Sequence, residues 1–188
     1  MDLATAATLA VTVLVAVGGY ATKYWHDLRI SERKDRLERL NRQLSEFYGP
    51  LYALSLAGAA AFDALAKYWK LNNPGARPLE QRTWEIWVRD IFMPLNRRMV
   101  SLVIEKADLL DGDEMPQALL DLCTHVYAYE AVLKQWEEGD FSQRTSVIDF
   151  PASGLQTFVS TEFPRLKAEQ IDLIGELRAK RKGLLSRK

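Results

Sequence analysis

Residues 3–22, LATAATLAVTVLVAVGGYAT, contain no charged side chain. Twenty helical residues rise about 30 Å, the thickness of a hydrocarbon core. A cleaved secretion signal and a retained membrane anchor both use such a run. A signal needs a positive region ahead of its apolar run, whereas only Met1 and Asp2 stand ahead of this one. The AVG at 16–18 keeps cleavage open as the lesser alternative. Behind the run, Lys23, Tyr24, Trp25 and Arg29 read as a membrane-interface cluster. Arg33, Lys34 and Arg36 follow within the window counted by the positive-inside rule. The expectation is a single-pass inner (plasma) membrane protein, with its N-terminus outside and its C-terminal domain in the cytoplasm. Ala4, Thr8, Thr12 and Ala16 recur every four residues, a spacing that permits helix association in the membrane. In a segment this rich in Ala and Thr the same stripe also arises from composition alone.

From Ile30 the pattern becomes amphipathic, with Leu37, Leu40, Leu44, Phe47 and Leu51 at steps of three and four. This predicts a juxtamembrane helix that serves either as the first helix of a bundle or as a short coiled-coil seam. GP at 49–50 predicts a kink or tight corner. Leu51, Leu54, Gly58, Phe62, Leu65 and Trp69 then mark a second helix. Its uncharged stretch, 49–62, is too short for a second span and is expected to be a closely packed core helix. NNPGARP at 72–78 reads as a loop.

After that loop, Trp84, Val88, Ile91, Leu95, Met99 and Leu102 keep helical phase across Pro94, as one kinked helix or two short ones. DGDEMP at 111–116 reads as a turn with Asp113 capping the next helix. Leu119, Leu122, Val126, Tyr129, Leu133 and Trp136 mark that helix, and Gly139 ends it. Residues 139–153, GDFSQRTSVIDFPAS, form the longest non-helical candidate; their Phe141, Val147, Ile148 and Phe150 point to a loop packed on the bundle or presenting a docking surface. Ser153 is expected to cap a last helix through Phe158, Phe163, Leu166, Leu173 and Leu177, kinked at Pro164. The fold class is therefore all-α: a transmembrane helix (1–22), a juxtamembrane helix (23–50), a bundle of four to five helices (51–182) and a basic tail (183–188).

Chemical signatures are sparse. Lys+Arg and Asp+Glu both number 25, which argues against a nucleic-acid partner. One cysteine, Cys123, excludes an internal disulfide and any multi-cysteine zinc site. No phosphate loop, dinucleotide fingerprint or nucleophile elbow occurs; no cofactor or metal is expected. Asp121, His125 and Tyr129 share a helix face at i, i+4 and i+8. They are weak catalytic candidates, set against the simpler reading of a satisfied, partly buried histidine. Candidate partner-binding residues are Ile30, Leu37, Leu40, Leu44, Phe47, Phe141, Ile148 and Phe150. Lys180, Arg181, Lys182, Arg187 and Lys188 form an acid-free tail suited to anionic lipid headgroups or to a solvated helix end.

LERLNRQLSEFYGPLYAL, ADLLDGDEMPQALLDLCTHVYAYE and IDFPASGL, taken together, resemble a bacterial group of single-span membrane proteins with a helical cytoplasmic domain. The resemblance touches much of residues 37–155. It implies topology and an inner-membrane setting, and brings no activity or site residue with it. The preferred expectation is a membrane-tethered, non-catalytic interaction or scaffold module that binds a protein partner or itself. The alternatives are a sensor or effector switched by a ligand, for example in stress or phage defence, and an enzyme using the Asp121/His125/Tyr129 face.

Overall fold

A computed structural model of the chain describes residues 2–72 and 79–185; side chains are described for 2, 15 and 17–71 of the first stretch and for 79–179 of the second. The described residues are all helical apart from loops, with no strand. Helix α1 (Leu3–Arg42) runs through a π turn (Gln43–Tyr48) straight into α2 (Gly49–Asn72). Helix α3 (Gln81–Trp87) likewise runs through a π turn (Val88–Phe92) into α4 (Met93–Glu105). A 3-10 turn (Ala107–Leu109), α5 (Gln117–Glu137) and α6 (Ala152–Leu185) complete the order. The loop expected at 72–78 lies, beyond Asn72, outside the described residues.

Two compact units are present: residues 1–40 with 170–188, and residues 41–169. In the first, α1 is helical across the whole uncharged run. The side chains of Ala4, Thr8, Thr12 and Ala16 lie outside the described residues. Tyr24 and Trp25 are exposed and meet edge to face at 6.4 Å, beside exposed Lys23 and Arg29. An Arg33–Glu176 ion pair of 3.2 Å joins α1 to the end of α6. Among the residues whose side chains are described, one helix, Val17–Leu71, is by length and composition apolar enough to cross a membrane, and its only stretch with so few charges lies in and just before α2 rather than in α1.

The unit 41–169 holds the core. On α5 the expected face is observed: Leu119, Leu122, Val126, Tyr129, Leu133 and Trp136 are all buried. Gly139, at φ +82°, follows the helix end as expected. Arg97 clamps α4 to α5 through both oxygens of Glu130, at 2.6 and 2.8 Å.

Several expectations are corrected. The corner at Gly49–Pro50 is absent, because the π turn lets the helix pass through. The Gly49 N–H reaches back five residues to the Leu44 carbonyl. Pro50, which has no N–H to give, falls where the ladder is already interrupted. The same arrangement recurs at Pro94, where the preceding Met93 N–H bonds the Val88 carbonyl. Glycine is required at 49, since a β-carbon there would run into the Leu44 carbonyl oxygen.

The extra residue in the second π turn also resets the phase of α4. Ile91 is exposed and Leu95 half-buried, while Met93 and Asn96 turn inward. Helix α2 is not enclosed all round: Leu51, Ser55 and Leu65 form a narrow buried stripe, and Leu56 and Phe62 face outward. Asp113 does not cap α5. That helix starts at Gln117 behind Pro116, with no side-chain cap, so Asp113 stands a full turn too early. Helix α6 begins at Ala152, which places Ser153 inside it. Pro164 lies within α6, which continues past it.

Candidate ligand-binding cleft

The loop between α5 and α6 is fastened to the helices by its own backbone carbonyls. Trp84 Nε1 and Tyr129 Oη both donate to the Arg144 carbonyl, at 2.8 and 3.1 Å. Trp136 Nε1 donates to Gln143 O at 2.7 Å. Arg144 itself reaches back to Leu79 O at 2.6 Å. Carbonyls that regular structure would have paired are thus satisfied by aromatic N–H and O–H groups. The loop packs over the bundle; its Phe141, Val147, Ile148 and Phe150 side chains are nevertheless more than a third exposed.

Between this loop, α2, the second π turn, α4, α5 and the start of α6 lies a cleft of about 550 Å³, the size that holds a small organic ligand. Its walls are largely apolar and aromatic. Phe92 lies 6.2 Å from Phe62 and 6.1 Å from Trp84, ring to ring, and Phe150 meets His125 edge-on at 5.4 Å. Four of the five buried polar residues of the described chain line it: Ser55, Asn96, His125 and Ser146.

These four differ in how well they are satisfied. Ser55 donates to the Tyr52 carbonyl at 2.9 Å, and Ser146 Oγ accepts the Ile148 N–H at 3.2 Å. His125, 6% exposed, approaches the Ile148 carbonyl with Nδ1 at 2.6 Å. A carbonyl only accepts, so the proton sits on Nδ1 and the Nε2 lone pair is left without a partner among the described residues. Burial lowers the His125 pKa below its ordinary value, against the smaller opposing effects of the Ile148 carbonyl and Asp149. The ring is therefore neutral near pH 7. Burial likewise pushes the Tyr129 hydroxyl up to about 12, keeping it a donor. Asn96 is 8% exposed, and its carboxamide makes no hydrogen bond among the described residues.

The predicted triad does not assemble. His125 and Tyr129 are adjacent, with ring centroids 5.5 Å apart. Asp121 instead accepts from Gln117 Nε2 at 2.7 Å, within its own helix, and the loop carbonyl takes the orienting role expected of it. Cys123 lies outside the cleft, and burial raises its thiol pKa. Among the described residues, no group of three His, Cys, Asp or Glu side chains is arranged to hold a metal ion.

Of the candidate partner-binding residues, Leu40, Leu44 and Phe47 are buried within the chain and so present no surface to a partner. Ile30 and Leu37 are half-buried, whereas Phe141, Ile148 and Phe150 remain exposed. For the lipid-headgroup candidates, the side chains of Lys180, Arg181 and Lys182, and Arg187 and Lys188 entirely, lie outside the described residues. Periodicity passed over Asn96, Ser55 and Ser146, the polar part of the cleft. Only Pro94, two residues before Asn96, marked the place where the phase would slip. No family model, curated protein or solved structure matches the chain.

Proposed function

We propose that the protein is a membrane-tethered helical sensor: α1 anchors it with its N-terminus outside, and the unit 41–169 binds a small molecule on the cytoplasmic side. The single observation that carries the sensor reading is the cleft, where the Asn96 carboxamide and His125 Nε2, on residues more than nine-tenths buried, open onto aromatic walls with no hydrogen-bond partner among the described residues. Both groups stay open to solvent through the cleft, since neither is among the enclosed unpaired atoms, and a ligand that displaces that solvent must pair them itself. The uncharged run of 3–22, the exposed Tyr24–Trp25 pair and the flanking basic residues support the anchor and its orientation.

A scaffold with no ligand has no use for such a cleft, so the binding reading is preferred over a purely structural module. The enzyme reading rests on His125 Nε2 as a base, and Asp121, its expected orienting acid, is engaged elsewhere.

The test is purification of the full chain from its native membranes into nanodiscs, followed by denaturation and mass spectrometry of released small molecules. Gly58 lines the cleft, and a β-carbon there meets nothing within 4 Å, so Gly58→Leu starts a side chain in open space and takes up cleft volume. The expected result is a compound released by the wild type and missing from Gly58→Leu. Identical small-molecule profiles from the two would sink the reading. Resistance to carbonate extraction, with protease reaching the C-terminal domain only in inverted vesicles, tests the anchor and its orientation.

A further inference from the structure

We infer that the cleft selects a neutral, flat, mostly aromatic ligand bearing a lactam-like edge, an N–H beside a carbonyl, and discriminates against anions. This deepens the ligand-binding reading above and rests on it.

The charge argument comes from the lining. Among the described residues no lysine or arginine contributes to it, and its two charged residues, Asp63 and Asp149, are both acids. A phosphate or carboxylate entering there would be desolvated without a cation to meet it. With Nδ1 engaged by the Ile148 carbonyl, neutral His125 presents Nε2 only as an acceptor, so nothing on that wall compensates an anion.

Shape and polarity follow from the same residues. The rings of Phe62, Trp84, Phe92 and Phe150 line the space and offer faces and edges to a planar guest. Asn96 supplies one carbonyl and one amide N–H pair on a single planar group. The complement of that edge is another amide in the cis arrangement, as found in a ring lactam. His125 Nε2 takes any further N–H or O–H donor. Asn96 and His125 are both residues more than nine-tenths buried, so a ligand that fills the cleft cuts their polar atoms off from water, and one that fails to pair them is penalised.

The experiment is isothermal titration of the full chain in lipid nanodiscs, with empty nanodiscs as the partition baseline. Three probes are used: 2-quinolone; 2-methoxyquinoline, which keeps the shape and loses the N–H; and 2-quinolone-4-carboxylate, which adds an anion. The expected result is saturable one-site binding of 2-quinolone, with each analogue at least about tenfold weaker. Asn96→Leu should weaken 2-quinolone by at least about tenfold while leaving the unliganded melting temperature equal or higher. A purely structural asparagine would instead lower it. Gly58→Leu should abolish binding.

Equal or tighter binding of the carboxylate or the methoxy analogue, or wild-type binding by Asn96→Leu, would overturn the ligand class. If Gly58→Leu still abolished that binding, the cleft would stand as a ligand site. Failure of all three probes to show Gly58-sensitive binding would overturn the ligand class, and an unchanged native small-molecule profile beside it would overturn the sensor reading as well.

Discussion

Helix α5 and the α3–α4 rod form two walls of one cleft, yet they obey different rules. Along α5 every third or fourth residue is apolar and every one of those residues is buried. Along α3–α4 the apolar period looks as regular, but five residues separate inward Val88 from inward Met93, and Asn96 rather than Leu95 follows. The difference is one residue, accommodated as a π turn ahead of a proline. A regular helix transmits its phase from end to end, whereas a π turn absorbs a residue and rotates everything after it. Here the rotation carries a polar amide into an apolar wall.

That contrast can be broken most severely by deletion. Removing exposed Tyr127 from α5 turns all later residues by about 100° and swings Tyr129, Leu133 and Trp136 off the core. We expect loss of cooperative unfolding, read by circular dichroism and thermal melting of the full chain in detergent. Removing exposed Ile91 should be survivable, because the π turn already carries one residue too many. It closes the helix onto Pro94, at a cost of about 3 kcal/mol. Adding Pro94→Ala should restore most of that loss. An Ile91 deletion as damaging as the Tyr127 deletion, with no rescue, would show that the π turn stores no spare residue.

Smaller effects sharpen the comparison within α2. Gly49→Ala, facing the Leu44 carbonyl oxygen across the first π turn, should destabilise by about 1–3 kcal/mol. Gly58→Ala, in ordinary helix with open space above it, should stabilise by about 0.5–1 kcal/mol. Melting curves that moved the same way for both would remove the distinction between wide and regular turns.

The smallest effect expected is with pH. His125 faces the Ile148 carbonyl, the Tyr129 ring and the Asp149 charge. Its folded pKa lies below the ordinary 6.5, so the unfolded chain takes up a proton first as pH falls. Its contribution is fully present above about pH 6.5 and is lost as the pH drops through the folded pKa. The melting temperature should therefore decline on acidification from pH 7 toward 5, and by less in His125→Asn. An equal decline in the two would assign the pH dependence to other groups.

Each part of the molecule was legible in its amino acids to the extent that its physics is local. The all-helical class, the face of α5, the stop at Gly139 and the uncharged run of α1 depend on propensity and on a period of 3.6, which neighbouring residues set among themselves. Whether a helix turns a corner at Gly49–Pro50 or widens to pass through was decided by packing. So was the partner of His125: Asp121 lies four residues away on the same helix, yet a carbonyl from a loop 23 residues on takes the bond. The cleft belongs to this second kind. It collects residues from α2, α3, the second π turn, α4, α5, the loop and α6, and its unpaired amide is set by the phase slip at Pro94. A period-based reading assumes one hydrogen-bond step throughout, so such a slip becomes visible only once the helices have chosen their neighbours.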